Sequence, residues 1–258
     1  MTLLDGRVVL VSGGTQGVGA AVARAAAREG ASVAVTGRRP EPGNALVDEL
    51  RAAGGRAAYV RCDVADVPDA QAAVRTVLAE FGRVDCLVNA AGLTARGTLL
   101  DTTPELFDQH IAINLRGPFF LMQGVVADLV ARKSPGTVVN IISSSELGGQ
   151  PYLAPYVAAK AGLAGLTRNA AHAHRWDRIR INGLDIGWTD TEGEDATQRA
   201  FHHADDAWRE RAGKALPMGK LSQADEIADF VVFLLSDRSG VVTGSIIDWD
   251  QNIFGGMD

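Results

Sequence analysis

Within APYVAAKAGLAGL, Tyr156 and Lys160 stand four residues apart in a run of otherwise small, mostly apolar residues. On a helix that spacing sets both side chains on one face, a single turn apart. A phenol with an ordinary pKa of about 10 is a poor base at neutral pH. A neighbouring ammonium favours the phenolate and lowers that value, so the pair could give and take a proton. A plainer arrangement fits the same spacing: the tyrosine packs with its hydroxyl outward, and the lysine lays its stem along the surface and reaches water.

Other stretches carry chemistry of their own. VSGGTQGVGAAVARAAAREG places Gly13, Gly17 and Gly19 ahead of a helical run. Glycine permits positive φ and close approach of an anion to the backbone, and the N–H groups of the following helix attract that anion. The spacing GxxxGxG differs from GxGxxG, and a tight turn without ligand satisfies it too. Thr36-Gly37-Arg38-Arg39 lacks the acid that would bond the ribose 2′-hydroxyl of NAD. Arginine there suits the 2′-phosphate of NADP, which favours NADP(H) over NAD(H), although two solvated charges at a helix entry read the same way. Ile142-Ser143-Ser144-Ser145 offers three hydroxyls, and His202, His203, Asp205 and Asp206 cluster further on. Without further ligands at metal spacing, that cluster reads as a polar helix face, with no metal site.

These residues need a frame. Buried strands are expected at 7–13, 31–37, 56–63, 84–92, 136–144, 178–187 and 244–250. Helices are expected at 17–30, 41–53, 68–82, 104–132, 155–175 and 223–236. Pro68, Pro104 and Pro155 stand near three helix starts, with Asp66 and either Thr102 or Thr103 as N-caps. Strand–helix alternation implies an α/β fold: a doubly wound, parallel, Rossmann-like sheet of about seven strands with helices on both faces. The expectation is a single domain over residues 1–258. The polar stretch 188–220 has no clear period and follows a strand's carboxyl end, the usual place for a substrate lid.

Composition narrows the partners. The 258 residues are 47% hydrophobic and 22% charged, with net charge −6. An acidic balance argues against nucleic acid and anionic membranes, and no run is long enough to span a bilayer. Cys62 and Cys86 sit beside apolar runs and read as buried and reduced. The expected setting is cytoplasmic, with a small-molecule substrate.

Ser12-Gly13, Gly17, Gly19, Asp63, Asn89-Ala90-Ala91-Gly92, Asn114, Ser143, Tyr156, Lys160, Gly187 and Thr191, in this order and spacing, resemble the classical short-chain dehydrogenase/reductase family over about residues 5–250. The resemblance implies a catalytic set of Asn114, Ser143, Tyr156 and Lys160, with Ser143 chosen because the family's serine lies thirteen residues before its tyrosine. Tyr156 is the implied acid/base, Lys160 also bonds the nicotinamide ribose, and Asn114 holds a water in the proton relay. Cofactor contacts are implied at Gly13, Thr15, Gln16, Gly17, Val18, Gly19, Arg38, Arg39, Asp63, Val64, Asn89, Ala90, Gly92, Ile186, Gly187, Thr189 and Thr191. A homo-oligomer, tetramer or dimer, is implied as well.

Three departures stand out: Ile186 before Gly187 where the family has proline, Ser144-Ser145-Glu146 after the active serine, and Asp250-Gln251-Asn252 near the end. Ser143, Ser145, Glu146, Gln150, Tyr156, Trp188 and His202 are candidate substrate contacts, and their polarity suits a sugar, polyol or cyclitol. The expected activity is NAD(P)-dependent interconversion of a secondary alcohol and its ketone. The rivals are a 3-oxoacyl thioester reductase, for which Arg132 and Lys133 are a thin carrier-docking patch, and a dinucleotide sensor without turnover.

Overall fold

The computed structural model describes residues 2–252. The first half of the chain forms β1 (Val8–Ser12), α1 (Gly17–Arg28), β2 (Ser32–Gly37), α2 (Pro40–Ala52), β3 (Ala57–Arg61), α3 (Val67–Phe81) and β4 (Cys86–Asn89). Then come α4 (Pro104–Ile111), α5 (Gly117–Ala131), β5 (Gly136–Ile141), α6 (Ala154–His174) and β6 (Ile179–Ile186). The chain finishes with β7 (Thr189–Asp190), α7 (Glu192–His202), α8 (Trp208–Lys214), β8 (Ser222–Gln223), α9 (Ala224–Leu235) and β9 (Ile246–Trp249).

All seven expected strands form, as one parallel sheet ordered β3-β2-β1-β4-β5-β6-β9. Each inner strand alternates its side chains between two apolar layers, as a period of two requires. Val9 and Val11 face the layer under α1 and α9, where Val33, Val35, Val88 and Val139 join them. Val8 and Leu10 face the layer under α3 and α5, with Leu87, Val138, Ile179 and Ile181. Because both faces are covered, the strands read as continuous apolar runs rather than alternating ones.

Winding reverses between β1 and β4, whose last residues, Ser12 and Asn89, pair side by side. The crevice at the carboxyl ends of these two strands is the fold's natural ligand position. Local signals set the helix starts. Asp66 accepts from Asp69 N at 2.8 Å, and Thr103, rather than Thr102, accepts from Leu106 N at 3.2 Å.

One expectation is refined and one needs correction. The stretch 104–132 is helical throughout, as expected, but a π-helical turn over Ala112–Arg116 joins α4 to α5 and carries Asn114. The stretch 188–220 is ordered into α7 and α8, preceded by β7, which pairs with β8 in a separate two-stranded sheet. Helix α7 escaped the periodicity reading because it buries none of its residues, and α8, seven residues long, is too short to show a period. Thr191 caps α7 by accepting from Glu194 N, Asp195 pairs with Arg199 within α7, and its ion pair with Arg209 ties α7 to α8.

A buried polar chain fixes α6 to the centre of the sheet. Asn89 Nδ2 donates to Asn140 Oδ1, Asn140 Nδ2 to Thr167 Oγ1, and Thr167 Oγ1 to Leu163 O, at 2.8, 2.8 and 2.7 Å. Thr167→Val removes the middle acceptor while keeping the shape. It is expected to cost about 1–3 kcal/mol in urea unfolding, the penalty of leaving a buried donor without a partner; an unchanged midpoint would show that the chain carries no stability.

Candidate active site

Helix α6 packs Tyr156, Lys160, Leu163, Ala164, Thr167 and Ala171 inward. Those positions recur every three or four residues, so Tyr156 and Lys160 lie on the same buried stripe as the apolar residues. Tyr156 is 8% exposed and Lys160 4%, which rules out the plainer arrangement of an outward hydroxyl and a snorkelling lysine. Lys160 Nζ donates to Ile141 O at 2.7 Å and lies 5.6 Å from the centre of the Tyr156 ring.

Burial governs both groups. It pushes the Tyr156 phenol up to about 12; a hydrogen bond with Ser143 opposes this, Glu194 adds to it, and Arg96 opposes it. Burial brings Lys160 down to about 8, against the attraction of Asp185. The expectation that Lys160 depresses the phenol is therefore corrected: desolvation of Tyr156 is the larger effect.

Ser143 ends β5's extension and opens a short turn over Ser144–Leu147. Its hydroxyl accepts from Ser145 N at 3.2 Å and donates to Ser145 Oγ at 3.1 Å. Ser145 Oγ in turn donates to Gln150 Oε1 at 2.7 Å, so these two candidate substrate contacts are bound to each other. Asn114 is wholly buried. Its Nδ2 donates to Leu93 O and His110 Nδ1, and its Oδ1 accepts from Leu93 N. Both amide hydrogens are thus taken by protein, and the side chain anchors the loop after β4.

His110 was not singled out from sequence. It is fully buried, one turn before Asn114, edge-on to the Tyr156 ring at 6.1 Å. Burial lowers its pKa, and its partners assign the tautomer: Nδ1 accepts from Asn114 and Nε2 donates to Ala95 O at 3.0 Å. The signal available in sequence was the i, i+4 spacing of His110 and Asn114.

The glycine turn lies beside this group. Gly13 has φ +72°, and a Cβ there would stand 2.5 Å from Ala91 N; at Gly19 a Cβ would strike the Gly13 carbonyl. Ala90 N donates to Ser12 O at 2.9 Å, so the Asn89–Gly92 loop backs the turn. Thr191 lies over Gly17, near enough that a Cβ there would touch its methyl at 3.4 Å. Thr15 lies against Gly37 at the end of β2, and Arg39, exposed, donates across to Gln16 Oε1. This close-walled turn, with arginine at its edge, fits a nucleotide's phosphates.

The remaining candidates are spread around the cleft. Asp63 follows β3, its backbone N–H donating to Asp69, and Val64 packs against Gly117. Thr189 Oγ1 donates to Gly187 O at 2.8 Å. Gly187 lies against the Asp250 carboxylate, which accepts from Gln251 N at 2.7 Å and from Asn252. Trp188 Nε1 donates to Glu194 at 2.7 Å and stacks on Trp208. His202 accepts from Arg96, whose guanidinium lies 5.2 Å above the Tyr152 ring. The acidic partners in its cluster are committed elsewhere, Asp205 to Arg211 and Asp206 to Arg199. Cys62 and Cys86 are buried and unpaired, as expected.

A family model described as enoyl-(acyl carrier protein) reductase matches residues 13–252. The chain belongs to the short-chain dehydrogenase/reductase family. It is an NAD(P)-dependent enzyme of that family. It is 37% identical to an A-factor type gamma-butyrolactone 1′-reductase (1S-forming) of Streptomyces virginiae, over 95% of this chain and 94% of that one. It is 36% identical to a 2,5-dichloro-2,5-cyclohexadiene-1,4-diol dehydrogenase of Sphingobium indicum, over 97% of this chain and 98% of that one. It is also 34% identical to an L-rhamnose 1-dehydrogenase (NAD(P)(+)) of Sphingomonas sp., over 98% of each. No helix among the described residues is long and apolar enough to cross a membrane.

One buried carboxyl in the site was also unforeseen. Asp185 is 1% exposed, and burial, with Glu146 and Asp248 adding to it, raises its pKa from 3.8 to about 7. Below about pH 4 it is neutral in both folded and unfolded chains. Stability is lost as pH rises from there through about 7, because the unfolded chain releases the proton first. Asp185→Asn is expected to melt with the wild type near pH 4 and a few degrees above it beyond about pH 7, followed by scanning fluorimetry; an equal difference at both ends would contradict the buried, raised carboxyl.

Proposed function

We propose that this enzyme interconverts a secondary alcohol and its ketone, prefers NADP to NAD, and takes a polyhydroxylated substrate such as a sugar, polyol or cyclitol. The reading rests above all on one observation: Ser143, Tyr156 and Lys160 converge at the carboxyl end of the sheet, beside a glycine turn with no room for a Cβ. In this reading Gly13, Thr15, Gln16, Gly17, Val18 and Gly19 hold the pyrophosphate, and Arg38 and Arg39 the 2′-phosphate. Asp63, Val64, Asn89, Ala90 and Gly92 border the adenosine, and Ile186, Gly187, Thr189 and Thr191 the carboxamide. When bound, the nicotinamide supplies or removes a hydride.

The side chains supply the rest. Ser143 Oγ turns from Ser145 to the substrate oxygen. Tyr156 Oη holds a proton firmly at neutral pH, given its value of about 12, which suits it to protonate an alkoxide as a ketone is reduced. In the reverse direction the phenol must lose that proton, and the ammonium of Lys160 is the group near enough to favour it. Asn114 and His110 brace the wall behind Tyr156. Exposed Phe107 and Phe119 on α4 and α5 support self-association as part of the same proposal.

For the substrate class, the support is the polarity of Glu146, Gln150, Trp188, Glu194 and Arg96 around the cleft, and the cyclic diol and the sugar in the names of two relatives. The family model's description keeps an acyl-thioester reading in view. Against it, Arg132 is spent on Asp128, Asp85 and Val84 O, at the amino end of the sheet, away from the cleft.

The test is nicotinamide absorbance with NADP and NAD across sugars, polyols, cyclitols and plain secondary alcohols. A polyhydroxylated substrate is expected to reduce NADP, with Tyr156→Phe slower by about 10²–10⁴-fold. Full activity in Tyr156→Phe would sink the mechanism, and faster turnover of apolar substrates would sink the substrate class. Arg39→Ala is expected to raise KM for NADP about ten-fold or more and leave that for NAD nearly unchanged, since it removes a charged phosphate contact. Equal changes for both nucleotides would refute the 2′-phosphate assignment.

A further inference from the structure

Asp185 lies in the cleft's floor and has no role in the mechanism just described. Along β6, Ile179 and Ile181 face the layer under α3 and α5. Gly183, on the same face, abuts Ile142 and Ile246. Strand alternation sets Asp185 on that face too, at the strand's carboxyl end, in the layer that α6 lines with Lys160. Its Oδ1 is enclosed and accepts no hydrogen bond among the described residues.

Lys160 is in a complementary position. Its ammonium has three hydrogens, and Ile141 O takes one of them. The charged groups facing Asp185 are Glu146 from the turn after β5 and Asp248 from β9, which oppose its ionisation, and Lys160 from α6, which favours it. Facing Lys160 are Asp185 and the Tyr156 ring, and Asp185 is the one acid that acts on it. A buried lysine without a counter-charge gives up its proton readily, because desolvation penalises the charged form.

We propose that Asp185 is a positioning residue of the proton-transfer site: its carboxylate is the counter-charge that keeps buried Lys160 an ammonium. This rests on the roles given above to Tyr156 and Lys160. A neutral Lys160 would leave the phenol without a positive neighbour when it must ionise, so the carboxylate acts on the reaction through the lysine.

The chain has four lysines, Lys133, Lys160, Lys214 and Lys220. The other three are exposed. NMR of the whole protein with isotope-labelled lysine therefore reads Lys160 directly, as the signal absent in Lys160→Arg. In the wild type it is expected to titrate well below the other three. In Asp185→Asn it is expected to titrate about one pH unit lower still, with the others unmoved. The alkaline limb of kcat/KM moves with it, and Asp185→Glu, which keeps the charge, restores both. Asp185→Ala is measured in the same way should Asp185→Asn not fold. Lys160 titrating as in the wild type in either variant overturns the proposal. Full activity in Tyr156→Phe, with Lys160 still moved by Asp185→Asn, would instead sink the proton-transfer reading and leave the Asp185–Lys160 coupling standing.

Discussion

Holding an ammonium inside a protein is costly, and the architecture around α6 is organised to hold Lys160 there. Taking a charged side chain from water costs several kcal/mol after relaxation unless hydrogen bonds and opposite charge replace its hydration. Here the replacement is the Ile141 carbonyl at the end of β5 and the field of Asp185 at the end of β6. Both come from strand ends, so the lysine's position depends on α6 lying in register over β5 and β6. The apolar stripe through Leu163 and Ala164 supplies that register, and the chain from Asn89 through Asn140 to Thr167 pins it. Polar links in a buried layer tolerate little sliding, since any shift leaves a donor unmatched.

Around that anchor, the cleft is walled by segments that brace one another. The loop after β4 backs the glycine turn and is itself held by Asn114 from the π-helical turn. An extra residue in a helical turn of this kind redirects a side chain at little cost in helix length, and such turns recur at functional sites. On the opposite side Thr191 does two things at once, capping α7 and covering Gly17. The start of α7 is thereby fixed to the glycine turn. Its carboxyl end rests through His202 on Arg96 and Tyr152, a contact of largely exposed groups that can part cheaply.

The same region departs from the usual rule that buried polar groups are paired. Two enclosed side-chain oxygens have no partner among the described residues, Asn89 Oδ1 and Asp185 Oδ1, and they lie at the ends of β4 and β6. Each such group costs about 1–3 kcal/mol. Elsewhere the interior is regular: two apolar layers and complete pairing of the central strands. Confining the unfavourable groups to the cleft concentrates the electric field where Tyr156 and Lys160 lie, at some expense of stability.

Much of this was legible along the chain because it is set by neighbours in sequence. Continuous apolar runs marked all seven strands, Asp66 and the Thr102–Thr103 pair marked two helix starts, and the glycines marked the turn, each signal spanning only a few residues. The 3.6-residue period likewise placed Tyr156 and Lys160 on one face. The helices of 188–220 were not legible, because α7 has no buried side and is held by Thr191 and by ion pairs that leave no apolar rhythm. Nor were the environments. Whether Tyr156 pointed out or in, what the Asn114 amide bonded, and whether Lys160 could outweigh desolvation of the phenol all depended on what packs against them. A carboxyl in a strand looks like any strand-end acid until the helix that covers it is in place. The sequence by itself determined the elements, the turn and the spacing of the reactive pair. Tertiary structure alone decided their protonation, because burial and the facing charges come from strands and turns that only folding brings together.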